Sequence, residues 1–196
     1  MRAQLTKMKK DKDRFEGEMY AIQTHLLDPA FVSLQVGFSN FLMTWLVRAV
    51  DPVGKHPQVP IVLPLPEEAP EAFNMLPEFL FEDVIGFFQT ISRCDTRSAV
   101  YLLLTCLFRM HPQLLAQQPL HDLLTFMIVF LSTPYLKNPY IKGKFVEILF
   151  YNTRRSRDNT QGALGDVINT HPLALKYLMP ALMRIYVGKS AYLAGW

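Results

Sequence analysis

With 196 residues, of which 50% are hydrophobic, the chain is long enough to bury a core, as one domain or as part of a larger array. Its formal net charge of +3 is too small to indicate nucleic-acid binding. Cys94 and Cys106 form no CxxC pattern, so the composition argues against a disulfide framework or a zinc knuckle and fits a reducing, intracellular setting.

The N-terminal segment, up to residue 26, predicts a helix with an interrupted apolar edge. Basic and acidic residues follow one another where a secretory signal would have an apolar centre, so no export signal is expected. The members of the apolar edge are Leu5, Met8, Phe15, Met19, Ile22 and Leu26.

The next segment, residues 29–47, contains no charged residue and approaches the length of about 20 residues that a membrane span needs. A polar stripe on one helical face argues against a span and favours a mostly buried helix with no membrane contact. The stripe consists of Ser33, Gly37, Asn40 and Thr44.

Proline marks the starts of five predicted helices, because the first helical N–H needs no partner. Asp28 and Asn138 are also good N-cap residues for two of them. A further helix is expected after Asp95, a short one in 161–169, and a kink at Pro180. The five dipeptides are Asp28-Pro29, Leu76-Pro77, Gln118-Pro119, Asn138-Pro139 and His171-Pro172.

No pair of β-strands is predicted, since prolines interrupt the one candidate, residues 59–66. The expected fold is all-α, an α-solenoid of HEAT- or armadillo-like helical hairpins. Residues 1–50 would form N-terminal helices, 51–70 a linker with six prolines, 71–187 the helical repeats and 188–196 a divergent tail.

The sequence offers no catalytic, cofactor-binding or metal site. It has no GxSxG, no P-loop and no GxGxxG motif, and both cysteines lie in apolar helical patterns typical of buried residues. His111, His121 and His171 adjoin helix ends or prolines, where a histidine usually satisfies a backbone group or faces water.

Two regions of opposite charge are more informative. Residues 56–92 contain six acidic side chains and no lysine or arginine, whereas residues 137–157 contain six basic side chains against Glu147. The second region is interpreted mainly as the solvated side of a helix with Ile141, Phe145, Ile148 and Leu149 facing inward. The alternative is a protein-docking surface steered by charge. Its candidate residues are Lys137, Lys142, Lys144, Arg154 and Arg155.

Three segments resemble, in order and spacing, the core region of the ubiquitin conjugation factors of the E4 class. They are LPEFLFEDVIGFF (76–88), NPYIKGKFVEILF (138–150) and HPLALKYLMPALMRIYV (171–187). The segment before them, THLLDPAFVSLQVGFSNFLMTWLVRAVDP with LPLPEEAP, looks like the preceding part of that core, so the resemblance covers nearly all of residues 26–187.

The resemblance implies an α-solenoid that forms the elongated body of a ubiquitin ligase, found in the cytoplasm and the nucleus. In that family a C-terminal U-box recruits the ubiquitin-conjugating enzyme, and chains are lengthened on substrates that already carry ubiquitin. The implied partners are ubiquitinated substrates and a segregase AAA-ATPase, with no cofactor. No catalytic residue of the family lies in the core. A HEAT-like adaptor unrelated to ubiquitin is the alternative.

The sequence departs from the family after residue 187, where it continues as GKSAYLAGW with no U-box. We therefore expect a core region that forms no ubiquitin chains by itself. We also expect an uncovered outer side on the last helix, which carries Leu175, Leu178, Leu182, Ile185 and Tyr186, and a tendency of the chain to self-associate.

Overall fold

A computed structural model describes residues 2–26, 28–93, 117–154 and 164–193, and the described part is helical throughout with no strand. The helices are α1 (Arg2–Leu26), α2 (Pro29–Val50), α3 (Glu71–Asn74), α4 (Phe79–Arg93), α5 (Gln117–Ser132), α6 (Pro139–Thr153), α7 (Gly165–Thr170), a π-helical segment (Ala174–Leu178) and α8 (Met179–Leu193). The all-α prediction is confirmed. The helix predicted after Asp95 lies outside the described residues.

The described residues divide into two compact units, the first ending at Gly37 and the second beginning at Phe38. In the first unit, α1 is the predicted N-terminal helix. Its surface has two ion pairs at i,i+4 spacing, Lys12 with Glu16 and Arg14 with Glu18. The predicted apolar edge is largely solvent-exposed in this unit, at Leu5, Met8, Phe15, Met19 and Ile22.

The predicted start of α2 is confirmed. The Asp28 carboxylate accepts hydrogen bonds from the backbone N–H groups of Ala30 and Phe31, which have no partner within the helix. The prediction of a mostly buried helix is wrong for the side that carries Phe41 and Trp45, which are exposed. No helix in the described part of the chain is long and apolar enough to cross a membrane.

The second unit is built around α5. Every residue of α5 from Leu123 to Leu131 is buried, because α6, α7, the π-helical segment and α8 pack around it, while α4 packs on α6. Aromatic rings fill the centre of this core: Phe126 lies edge to face with Phe130 and with Phe145, at centroid distances of 5.1 and 5.6 Å.

The proline-rich segment 51–70 has neither helix nor strand, in agreement with its six prolines. It nevertheless packs on the core of the second unit, where Ile61 and Leu63 are buried. The hydroxyl of Tyr135 donates to the carbonyl of Pro66 at 2.7 Å, and that of Tyr177 donates to the carbonyl of Leu63 at 2.6 Å. Two side chains from distant parts of the sequence thus hold the segment in place.

The chain changes from π-helical to α-helical geometry at Met179, one residue before Pro180. A proline lacks the N–H that would bond four residues back, and a wider helical turn is one way to accommodate that loss. The sequence predicted a kink at Pro180, and the feature that the structure shows before this proline is a π-helical segment from Ala174 to Leu178.

Candidate functional site

Helix α6 carries Lys142 and Lys144 of the predicted basic surface, while Lys137 precedes the helix and Arg154 follows it. Asn138 caps it, since its side-chain oxygen accepts from the N–H of Tyr140 at 3.0 Å, and Pro139 occupies the first helical position. The prediction for the inward face is confirmed, with all four expected residues buried: Ile141, Phe145, Ile148 and Leu149. This face fixes the direction of every other side chain on the helix.

Lys142 is the exception within the predicted basic surface. Its Nζ donates to the carbonyl of Thr133 at 3.1 Å, just past the end of α5, and the side chain is half-buried. Arg184 from α8 donates to the neighbouring carbonyl of Ser132 at 2.8 Å. Burial, and secondly the charge of Arg184, lower the pKa of Lys142. The interpretation of Lys142 as part of a solvated basic face is therefore corrected.

A cation at this position has a structural role. The last carbonyl groups of a helix have no partner within it and carry partial negative charge. Arg184 binds the carbonyl of Ser132, the last residue of α5, and Lys142 binds that of the next residue, Thr133, whose hydroxyl donates to the carbonyl of Val129. These hydrogen bonds join α6 and α8 to the end of α5.

The remaining basic residues are placed differently. Lys137 and Arg154 are exposed, and the Nζ of Lys144 lies 4.6 Å from the ring centroid of Tyr140, where cation and ring attract each other. Arg155 lies outside the described residues.

Exposed aromatic side chains, which the sequence interpretation did not include, lie on the same helix. Tyr140 is 65% exposed, Phe150 56% and Tyr151 40%. Their positions outside the inward-facing set were the signal that could have identified them. We call the resulting set the α6 surface: Lys137, Tyr140, Lys144, Phe150, Tyr151 and Arg154.

The acidic region lies next to the α6 surface. Asn138 donates to the carboxylate of Glu78 at 3.3 Å, and Gln89 of α4 donates to the carboxylate of Glu147 on α6. The predicted acidic and basic regions thus meet through amide side chains where α4 packs on α6. Any partner of the α6 surface therefore approaches cations and aromatic rings with carboxylates at one side.

A polar cluster lies along the N-terminal half of α5. His171 is 4% exposed, its Nε2 lies 3.0 Å from the Thr125 hydroxyl, and its Nδ1 accepts from the N–H of Ala174 at 3.4 Å. The ring of His121 is 5.1 Å away. Burial, and secondly the proximity of His121, lower the pKa of His171. Of the two alternatives that the sequence left open for this histidine, the structure shows contact with a backbone group and not exposure to water.

Burial favours the neutral form of His171 by lowering its pKa. A nitrogen that accepts from the N–H of Ala174 carries no proton, so in the neutral ring the proton is on Nε2, which lies 3.0 Å from the Thr125 hydroxyl. Nowhere in the described ranges do three or more His, Cys, Asp or Glu side chains form a group that could hold a metal ion. The contacts of His171 with Thr125 and with the N–H of Ala174 link α5 to the start of the last helix.

Similarity to known proteins identifies the family. A family model described as ubiquitin elongating factor core matches residues 1–191. The chain is 29% identical over 187 residues to ubiquitin conjugation factor E4 of Schizosaccharomyces pombe, which covers 94% of this chain and 17% of that protein. It is 30% identical over 204 residues to E4 ubiquitin-protein ligase UFD2 of Saccharomyces cerevisiae, covering 94% and 20%.

A third relative, the probable ubiquitin conjugation factor E4 of Arabidopsis thaliana, is 26% identical over 93% of this chain and 15% of its own length. The chain thus spans a fifth or less of the relatives that it matches. Because the family model covers nearly the whole sequence, including every described helix up to residue 191, the chain belongs to the ubiquitin elongating factor core family.

Proposed function

We propose that this chain is the scaffold core of a ubiquitin chain-elongation factor, acting in polyubiquitination and ubiquitin-dependent degradation. The observation that carries the proposal is the match of residues 1–191 to the ubiquitin elongating factor core. The names of the three relatives, all conjugation factors or ligases of the E4 class, support the same process. The part of the chain that the structure describes contributes packed helices and surfaces, and its role is to bind other proteins.

The proposed architecture is a solenoid of HEAT- or armadillo-like helical hairpins. It is supported by the packing within the second unit, where α5 lies against α6 and against α8, and α4 lies against α6. In such arrays each repeat buries its apolar face against its neighbours and leaves side surfaces for partners.

The proposed partners are ubiquitinated substrates and, by family resemblance, a segregase AAA-ATPase. A ubiquitin-conjugating enzyme would be recruited only through a U-box in a longer form of the protein. The proposed localisation is cytoplasmic and nuclear.

The α6 surface is the proposed docking site on this unit. Tyr140, Phe150 and Tyr151 supply exposed apolar area, and aromatic residues are enriched in protein interfaces. Lys144 and Arg154 supply positive charge that steers a partner with acidic side chains. Arg155 belongs to the proposed site by its position next to Arg154 in the sequence. Lys142 does not, because its Nζ is bound to Thr133.

An in vitro ubiquitination assay tests the proposed division of labour. The purified chain, given ubiquitin, the activating enzyme and a conjugating enzyme, should form no chains above a control without it, because family members recruit the conjugating enzyme through a U-box and not through the core. The S. pombe relative is the positive control. Chain formation by this protein alone would contradict the scaffold role.

A binding assay tests whether the α6 surface is the docking site. A model substrate carrying a short ubiquitin chain should be retained by the immobilised protein, and Lys144→Glu with Arg154→Glu should weaken retention about tenfold if the α6 surface is the site. Lys9→Glu with Lys10→Glu, two exposed cations of α1, is the control for an equal change in net charge. Retention that both pairs weaken equally would exclude a specific α6 surface, and no retention at all would contradict substrate binding by this chain.

A further inference from the structure

Two buried histidines lie on different elements of the second unit. His56 is 7% exposed and belongs to the proline-rich segment, and His171 is 4% exposed and precedes the π-helical segment. The hydroxyl of Tyr177, in the π-helical segment, donates to the carbonyl of Leu63 at 2.6 Å, so the two elements are also bonded to each other. We call residues 56–63 and 171–177 together the histidine region.

The contacts of His171 suit a neutral ring. Its Nδ1 accepts from the N–H of Ala174 at 3.4 Å, and its Nε2 lies 3.0 Å from the hydroxyl of Thr125 on α5. A protonated imidazole carries a proton on both nitrogens, so it can no longer accept from Ala174. Protonation of His171 therefore removes a contact at the start of the last helix and places a charge in a buried position.

His56 is also poorly suited to carry a proton on both nitrogens. Its backbone N–H donates to the carboxylate of Asp51 at 3.0 Å, which fixes the position of the residue. Its ring Nδ1 is buried and has no hydrogen-bond partner among the described residues. In the protonated ring Nδ1 is a donor, and a buried donor without an acceptor destabilises the folded arrangement.

The charged groups that face the two rings act in opposite directions. Burial is the largest cause that lowers the pKa of both histidines, and His121 on α5 lowers that of His171 further. Asp122 on α5 raises the pKa of both, and Asp51 raises that of His56. The net result at each ring is a lowered pKa, so the folded state favours the neutral forms.

We propose that protonation of His56 and His171 opens the histidine region locally, releasing it from α5 while the rest of the second unit stays folded. Because Tyr177 bonds to Leu63, movement of either element removes a contact of the other, so both open together. Neither α4 nor α6 contains a histidine, so their packing on each other involves no side chain that ordinarily titrates between pH 7.5 and 5.5. The inference is independent of the proposed function, since it rests on internal contacts.

Apolar contacts hold the last helix beyond the histidine region. Leu178 is buried, and Leu182 and Ile185 pack partly against the core, although the sequence placed these three on an uncovered outer side. Leu175 and Tyr186 are exposed as expected. The other large apolar residues on the outer side are Met179, Met183 and Val187. Local opening therefore ends before Leu178, and α8 stays attached to the core.

Hydrogen exchange of the full chain in about 0–1 M urea, at pH 7.5 and 5.5, tests the local opening. An opening that exposes little surface responds weakly to urea, whereas global unfolding responds strongly. Relative to the intrinsic rate at each pH, the amides of Ile61, Val62, Leu63 and Tyr177 should exchange about tenfold faster at pH 5.5 for each histidine that gains a proton. Their exchange should depend little on urea, whereas that of the α6 amides should depend on it strongly.

Three variants assign the acid effect to the two rings. His171→Asn and His56→Gln should each remove about tenfold of it, since each deletes one group that gains a proton on opening. Asp122→Asn removes the charge that favours protonation in the folded state, while its side-chain oxygen can still accept from Asn40, as the carboxylate does at 3.1 Å. It should therefore strengthen the acid effect. Circular dichroism checks that each variant is folded.

Equal urea dependence in the histidine region and in α6 would overturn the proposal, because both would then exchange only through global unfolding. An acid effect that persists undiminished in both histidine variants would also overturn it, since other groups would then be its source. If a variant loses the wild-type circular dichroism, the urea dependence of the wild type and the direction of the change in Asp122→Asn decide between the outcomes.

Discussion

Phe145 and Phe150 are the same residue type on the same helix, and the structure assigns them opposite environments. Phe145 is fully buried and lies edge to face with Phe126, whereas Phe150 is 56% exposed beside Tyr151. The spacing of apolar residues in α6 predicted the inward position of Phe145, because residues three, four and seven apart share one face.

Phe145→Ala should lower the free energy of unfolding by about 3–5 kcal/mol, since it removes a buried ring and leaves a cavity. Phe150→Ala on the exposed side should change it by about 0.5 kcal/mol. Urea denaturation of the two variants measures both values. Equal losses would show that the two faces of α6 are assigned wrongly.

Lys142 and Lys144 lie two positions apart on α6 and also differ in their environments. Lys142→Ala should cost about 1.5 kcal/mol or more, because it removes a charge-assisted hydrogen bond to a carbonyl at the end of α5. Lys144→Ala removes an exposed cation–aromatic contact and should cost about 0.5 kcal/mol. The sequence interpretation placed both lysines on the same solvated side of the helix. Thermal and urea unfolding of both variants measure the two losses of stability. Equal losses would support the sequence interpretation instead.

At the scale of elements, two tyrosines attach the proline-rich segment to the second unit. Their hydroxyl groups donate to the carbonyls of Leu63 and Pro66, which lie outside any helix or strand. The sequence predicted an extended segment but not this attachment. The prolines of the segment show which backbone N–H donors are missing. They do not show which side chains bond to its carbonyl groups instead.

Tyr177→Phe should destabilise the second unit by about 1–2 kcal/mol, since the Leu63 carbonyl loses its donor while the ring keeps its packing. Hydrogen exchange at Ile61, Val62 and Leu63 should become faster than in the wild type. Tyr186→Phe, at a residue 74% exposed, is the control and should change neither quantity. Unchanged exchange in Tyr177→Phe would mean that the apolar contacts of Ile61 and Leu63 suffice to hold the segment.

At the scale of the whole molecule, buried histidines link stability to pH. Burial is the main cause that lowers the pKa of both His56 and His171, although Asp122 acts in the opposite direction on each. The unfolded chain, with histidine pKa values of about 6.5, then binds more protons than the folded chain as the pH falls. These histidines therefore cause no loss of stability well above pH about 6.5, and the free energy of unfolding falls progressively below it.

Unfolding free energies measured in urea between pH 7.5 and 5.5 should therefore fall with pH, by at most roughly 1.4 kcal/mol per pH unit for each histidine. His171→Asn keeps an acceptor for the N–H of Ala174 and removes the titrating ring, so its pH dependence should be shallower. A variant with the wild-type slope would show that His171 makes no contribution to that dependence.

The sequence by itself determined the helical class, the capped starts of α2 and α6, the inward face of α6 and the membership in a family of ubiquitin elongating factor cores. These properties depend on local spacing, on prolines and caps, and on motifs read in order, all of which are present in a linear chain. Tertiary structure alone decided that Lys142 turns to the end of α5, that Tyr177 holds the proline-rich segment, and that Met179, Met183 and Val187 form the outer strip of α8. The physical reason is that the carbonyl group that a side chain binds, or the apolar face that it covers, belongs to another element of the fold. Which side chain reaches them depends on how distant helices pack, and no periodicity within one helix contains that information.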